Sequence, residues 1–417
     1  MKRLISIFLI FTLIFGVTSC NKKGKEGEEN KKTLKVAIMY PEENIGGIYK
    51  EIVKEYEKQN PDLKIELTLD LSDESKIKES LTKEEGYDIV GIKRSQLIEY
   101  AKTGLITDLT DFIDKNDLRN KLYPINLSYG TFNGKNYGIG DLPITYEWFY
   151  NKSIFNKYGI KEPANLKELI DISKKLNSKG IIPISIGAMD RWTLALLFGN
   201  ITCQTTGIQS FTDNLGSDKK AFENIQGINI AFNTFDKLVK NSIKKNSVDI
   251  NYMQSVDDFL KGKAAILPTI SITKELIETK KPSGFEYGVF ETPIQFVDNP
   301  MAKVSASGGQ ILTISSKSSN KDEAEKFLKF LFDQEAQKLF VEKGFISALK
   351  TANQLDTVNK RIIISHIEMT NDNSGFLIDN LDLKMADAIG IVLSDMIEGR
   401  VKLSEAWDRV LKISFQQ

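Results

Sequence analysis

The chain has 417 residues, with 56 basic and 56 acidic side chains, one histidine and two cysteines. That charge balance gives no electrostatic case for nucleic acid. A lone histidine, His366, removes histidine-based triads and most zinc sites from consideration.

In chain order, Lys2 and Arg3 form a basic head, Leu4 to Phe15 an apolar run broken by Ser6 and Thr12, and Gly16-Val17-Thr18-Ser19 leads into Cys20. This is the order of a secretory signal. The apolar run is too short to span the roughly 30 Å hydrocarbon core as a helix. Val17-Thr18-Ser19-Cys20 resembles the bacterial lipobox, which implies a lipoprotein whose mature chain starts at a palmitate-bearing Cys20. Residues 1–20 are thus expected to be signal peptide and lipobox. Residues 21–32, NKKGKEGEENKK, have no apolar side chain and read as a flexible tether. Fully extended, the tether reaches about 40 Å. Loss of residues 1–19 removes only Lys2 and Arg3, leaving 54 basic against 56 acidic side chains and a net charge of −2. With Cys20 lipidated, Cys203 has no intramolecular partner and reads as a small buried hydrophobe.

Beyond the tether, about 385 residues call for two cores. Leu34–Met39 alternates as a strand, Ile48–Gln59 has helical spacing and stops at Asn60-Pro61, and Leu63–Leu69 alternates again. A helix follows around Ile77–Lys83, then a short buried strand Tyr87–Gly91 and a helix Ser95–Lys102 closed by Gly104. Strands and helices alternating in so few residues imply a parallel sheet wrapped by helices, an α/β class.

These segments, in this order, resemble the extracellular solute-binding proteins of ABC transporters, in the carbohydrate-binding branch (family 1) that includes maltose-binding protein. The resemblance is carried by the helix, turn and strand of Glu51–Ile65, by Gly86–Val90 and by Gly104–Leu109. It continues through Asn133–Ile139, Trp148–Phe155, Gly159–Pro163 and the helix Leu166–Leu176. Phe259–Ile266 is similar to the family's strand entry, and Ala324–Phe340, with its Glu335-Ala336-Gln337, to a late helix. The resemblance implies a two-lobed periplasmic-binding-protein-like (type II) fold with a hinge and an interlobe ligand cleft. Lobe 1 is expected at 33–143 plus 268–309, and lobe 2 at 144–267 plus 310–417. It implies no enzyme activity, no cofactor and no metal. The partners it implies are a small-molecule sugar and the membrane subunits of an ABC importer, with the protein working as a monomer tethered to the outer face of the cell membrane.

Ligands of α/β sheets sit beyond the carboxyl ends of strands. After the first strand come Tyr40, Glu42 and Glu43, acceptors for sugar hydroxyls or a solvated acidic turn. After the third come Lys93, Arg94 and Ser95, with Lys93 as the expected donor. Asp141, Tyr146, Glu147 and Trp148 bring aromatic and polar groups together, the mixture sugar recognition needs, although the rings also suit a lobe core. The family resemblance places Asp190, Arg191 and Trp192 in the cleft from lobe 2, Arg191 alternatively in an internal ion pair. Thr269 and Ser271 stand where the family carries a tryptophan, so hydrogen bonding replaces stacking there. Gly308 and Gly309 either admit ligand backbone contact or flex at the hinge. Phe345 is a cleft ring or core. Few aromatics in these loops point to a small sugar.

Four rival readings stand beside this one. A glycosidase needs two carboxylates about 5–9 Å apart across a sugar, and nothing in the spacing of Glu42, Asp141, Glu147 and Asp190 selects a pair. Asn371–Gly375 lacks the alternating ligands of a calcium loop and reads as a turn. The same fold also suits a non-carbohydrate polar solute, or a sensory lipoprotein that binds a partner protein.

Overall fold

The computed structural model describes residues 32–293 and 300–416. The signal, the lipobox with Cys20 and nearly all of the tether lie outside the described residues. Twelve strands are formed among the described residues. The first six are β1 (Lys32–Ala37), β2 (Leu63–Thr68), β3 (Ile89–Ile92), β4 (Thr131–Phe132), β5 (Lys135–Asn136) and β6 (Ile139–Gly140). There follow β7 (Ile144–Asn151), β8 (Ile182–Ile184), β9 (Ala264–Ile270), β10 (Tyr287–Phe290), β11 (Ala306–Ser307) and β12 (Ile311–Ile314).

They build two main sheets. The first has the order β2-β1-β3-β12-β6, the second β10-β7-β9-β8 with β11 on the edge of β7. β1 runs parallel to β2 and β3, while β12 enters antiparallel between β3 and β6. Helices cover the sheets, and each sheet nucleates one lobe.

The strand pairing corrects the expected division. β9 and β10 pair with β7, and so belong to lobe 2, although residues from 268 were expected in lobe 1. β12 pairs with β3, so the chain from 311 is in lobe 1, not lobe 2. The physical reason is a helix face. Helix Gly47–Gln59 buries Ile48, Ile52, Val53 and Tyr56, and Tyr56 packs on Phe327 and Phe330 at ring separations of 5.1 and 5.0 Å. Only at Val358 does the chain re-enter lobe 2, where helix Val358–Glu368 packs on β7 and β10. Among the described residues the lobes are therefore 32–141 with 311–353, and 144–293 and 300–307 with 358–416, joined by three crossings.

Other segments shift by a few residues. The stretch 324–340 is two helices, Lys321–Leu331 and Gln334–Glu342, because Asp333 accepts from the backbone N–H groups of Glu335 and Ala336 and starts a new helix. β8 is only three residues long. From its end springs helix Arg191–Thr205, buried on every side from Thr193 to Gln204, the central post of lobe 2. Cys203 is buried within it. No helix among the described residues is long and apolar enough to cross a membrane.

Candidate functional site

The crossings bring the carboxyl ends of the strands of both lobes to one interface. At its centre Asp141, fully buried just after β6, accepts from Tyr40 Oη at 3.2 Å, from Gln310 Nε2 at 2.9 Å and from Tyr49 Oη. Burial pushes its carboxyl up to about 7, against the pull of those hydrogen bonds. Tyr40 Oη in turn accepts from the backbone N–H of Gln310 at 3.0 Å. This network clamps the first crossing to the second. Asp141 has its oxygens committed, so the expectation that it contacts ligand is corrected: it is a structural hub.

Tyr146 and Trp148 are corrected as well. β7 is buried along its whole length because it is the central strand of the lobe 2 sheet. Trp148 stacks on Phe290 with 6.0 Å between ring centres and donates Nε1–H to Asn200 Oδ1 at 3.2 Å. Tyr146 is buried beside it. Both are core. Thr269 and Ser271 are likewise turned inward: Thr269 Oγ1 is 3.2 Å from Thr273 Oγ1, and Ser271 Oγ accepts from Thr145 N–H. Gly308 packs under Tyr129 and Ile125, leaving no room for a ligand against it. Gly309 has φ +77°, and a Cβ there would stand 2.4 Å from Asp141 Oδ1, so it serves the crossing.

The remaining expected residues are at the surface of the interface or beyond it. Glu42 is exposed and pairs with Lys50 at 2.6 Å, and Glu43 is exposed beside it. Lys93 is half-buried, 3.8 Å from Glu74. Asp190 Oδ2 accepts from the Tyr252 N–H at 2.7 Å, holding the start of helix Tyr252–Leu260 against the start of helix Arg191–Thr205. Arg191 lies 3.7 Å from Asp387 on the surface of its own lobe. Trp192 is 39 % exposed, its ring 5.1 Å from that of Tyr252, next to Met189 at 55 %. Phe345 is half-buried and lines a narrow gap between the lobes with Pro143 and Ser271.

A larger interlobe cavity, about 520 Å³, opens on the side of β3 and the second crossing. Lobe 1 supplies Arg94, Lys102, Tyr129 and Phe132; lobe 2 supplies Gln209, Thr212, Asp213, Asp372 and Asn380. Its volume is in the range of small-molecule sites. The floor is pinned by Tyr129, whose Oη donates to Ala306 O at 3.0 Å and accepts from Phe376 N–H at 2.8 Å. Asp379 Oδ2 lies 3.1 Å from the same hydroxyl and accepts from Ser307 Oγ at 2.8 Å. Phe132 stands on a hairpin whose Asn133-Gly134 turn has φ of +49° and +73°, the pattern of a tight two-residue turn. None of the residues chosen from sequence as ligand contacts lines this cavity, although its Arg94 is in the loop singled out after β3. The lobe 2 wall comes from segments remote in sequence, around 209–213 and 371–380, which carry no motif of their own.

Among the described residues no three His, Cys, Asp or Glu side chains are grouped to hold a metal ion. Asn371–Gly375 forms a turn in which Asn371 N–H donates to Ser374 Oγ at 3.0 Å and Asn371 Nδ2 to Met301 O at 3.1 Å.

Residues 40–338 match the family model of the bacterial extracellular solute-binding proteins. The chain is 24 % identical over 361 residues to the multiple sugar-binding protein of Streptococcus mutans, covering 81 % of each. It is also 24 % identical over 281 residues to an uncharacterised ABC transporter extracellular-binding protein of Pyrococcus horikoshii, 64 % of this chain and 60 % of the other. Among solved structures, the apo form of RafE from Streptococcus pneumoniae superposes with a TM-score of 0.74 at 20 % identity, over 93 % of this chain and 98 % of RafE. The solute receptor AcbH, described as exclusively preferring β-D-galactopyranose, superposes at 0.76 with 15 % identity, over 92 % and 97 % of the two chains. These likenesses show the two-lobed type II fold.

Proposed function

The chain belongs to the bacterial extracellular solute-binding proteins of ABC transporters, binding proteins and not enzymes, and from that premise we propose that it captures a sugar or short oligosaccharide between its lobes for an importer. The observation that carries this reading is the 520 Å³ cavity walled by both lobes, with charged, amide and hydroxyl groups around one half-buried aromatic edge, Phe132. Each lobe alone offers half a site. A ligand that touches both walls favours the closed arrangement by its differential contacts, with no chemistry on the ligand. The sugar-binding relative of S. mutans supports the ligand class. The lipid on Cys20 holds the protein at the outer face of the cell membrane.

Thermal unfolding against a panel of mono- and oligosaccharides tests the ligand class. A ligand at a hundredfold excess over its Kd adds about 2.7 kcal/mol of stability. One stereospecific hit establishes the reading. Failure of every sugar to shift a cooperative transition moves the ligand to a non-carbohydrate solute or a partner protein. For the anchor, Cys20→Ser is expected to release the protein into the medium; retention at the membrane would refute lipidation at Cys20.

A further inference from the structure

The two walls of the interlobe cavity carry opposite charge. Lobe 1 presents Arg94 and Lys102, lobe 2 presents Asp213 and Asp372. Arg94 Nη1 is anchored, donating to the carbonyls of Tyr129, at 2.7 Å, and Thr131. Its Nε and Nη2 have no hydrogen-bond partner among the described residues, and no carboxylate oxygen stands within ion-pair distance of it. Burial draws the guanidinium down to about 10, with Tyr129 and Asp372 pulling it back up. Asp372, exposed on the turn after Asn371, is the acid that acts on Arg94 across the gap, still beyond contact. On the same two walls, Lys102 Nζ sits 5.6 Å over the Phe132 ring, and Asp213 accepts from Gln209 Nε2 at 2.6 Å.

A guanidinium only donates hydrogen bonds and a carboxylate only accepts them. A pair of neighbouring hydroxyls satisfies both walls at once, lone pairs toward Arg94 and O–H toward Asp372. A ligand carboxylate answers Arg94 but meets two acids from lobe 2, and a ligand ammonium meets the reverse. Like charges brought together in a partly enclosed site are strongly disfavoured. We propose that the cavity selects an uncharged, hydroxyl-rich ligand, gripped by Arg94 from lobe 1 and by Asp372 from lobe 2, and discriminates against acidic and amino sugars of the same skeleton.

The inference rests on the cavity being the sugar site, so the test separates the two. Thermal shift and calorimetry compare neutral sugars (galactose, glucose, raffinose) with galacturonate, glucuronate and trigalacturonate, and with galactosamine, glucosamine and deacetylated chitotriose. The expected result is a neutral ligand bound at least about tenfold more tightly than its charged counterparts. Asp372→Asn, at an exposed position where folding is retained, narrows the gap to the acidic sugar several-fold, and Arg94→Gln narrows the gap to the amino sugar. A charged sugar that binds as tightly as its neutral counterpart overturns the inference and leaves the sugar reading standing. So does a selectivity unmoved by Asp372→Asn. Absence of binding in all three classes overturns both.

Discussion

Glu147 Oε2 and His366 Nδ1 are 2.7 Å apart in the interior of lobe 2, joining β7 to helix Val358–Glu368 across 219 residues of chain. Both side chains are buried, and the other Glu147 oxygen accepts from Thr145 Oγ1. Burial pulls the imidazole down, but the charge of Glu147 and its hydrogen bond outweigh it, with Glu291 adding to them, so His366 holds its proton above its ordinary 6.5. A folded value above the unfolded one means stability that is fully present below about 6.5 and is lost as pH rises through the raised value. His366→Gln keeps a donor and drops the charge. Its stability is expected to fall furthest below the parent's near pH 5.5–6, by up to about 3 kcal/mol, and the two to converge as pH rises past the raised value. A gap independent of pH would show that the imidazole is not charged in the fold.

Asp141 makes a second, separable pH dependence. Its carboxyl, raised by burial to about 7 from an ordinary 3.8, binds a proton in the folded state where the unfolded chain does not. Stability on this account declines as pH climbs from about 4 to about 7. Asp141→Asn removes the titrating group, and the difference curve against the parent should slope through that interval. Asp141→Ala leaves Tyr40, Tyr49 and Gln310 without their acceptor and should cost about 3 kcal/mol or more at every pH. Urea unfolding of the three proteins across that interval decides; parallel curves for parent and Asp141→Asn would discard the titration.

The helix faces were legible because hydrophobic spacing writes itself locally: Ile48, Ile52, Val53 and Tyr56 could face only a core. Which core could not be read. Tyr56 meets Phe327 and Phe330 from 271 and 274 residues away, and β12 inserts beside β3 by long-range pairing that no local pattern encodes. The site suffered more. Asp141, Tyr146 and Trp148 offer the polar and aromatic mixture of a sugar site, and the central position of β7 turns the same mixture into a buried scaffold. Burial, not residue type, separates a ligand contact from a core residue. The wall formed by Gln209, Asp213 and Asp372 comes from connecting segments whose composition is ordinary.

Trp148 and Trp192 therefore predict very different losses of stability. Trp148→Ala removes a ring packed on Phe290 and the Asn200 hydrogen bond, and should cost about 3–5 kcal/mol with ligand affinity unchanged in whatever fraction remains folded. Trp192, two-fifths exposed and not among the residues lining the Arg94–Asp372 cavity, should cost under about 1 kcal/mol on truncation and should also leave sugar affinity unchanged. Unfolding and calorimetry on the two variants read this directly. Weakened binding in Trp192→Ala would instead move the sugar away from the Arg94–Asp372 cavity and toward Trp192.

The second crossing provides the sharpest backbone test. Gly309 has φ +77°, and a Cβ there would sit 2.4 Å from Asp141 Oδ1 and 3.0 Å from the Leu142 carbonyl. Gly284 has φ +79° with nothing within 4 Å. The left-handed conformation alone costs a non-glycine residue roughly 1–2 kcal/mol, so Gly284→Ala measures that strain by itself. Gly309→Ala adds a collision with the hub that joins the first crossing to the second, and should cost about 2 kcal/mol beyond the control. Because the collision is with a carboxylate held by Tyr40, Tyr49 and Gln310, relief requires moving the crossings themselves. The variant should then also bind its sugar less tightly than Gly284→Ala does. Equal losses of stability in the two variants, with equal affinities, would mean that the Gly309–Asp141 approach does not constrain the hinge.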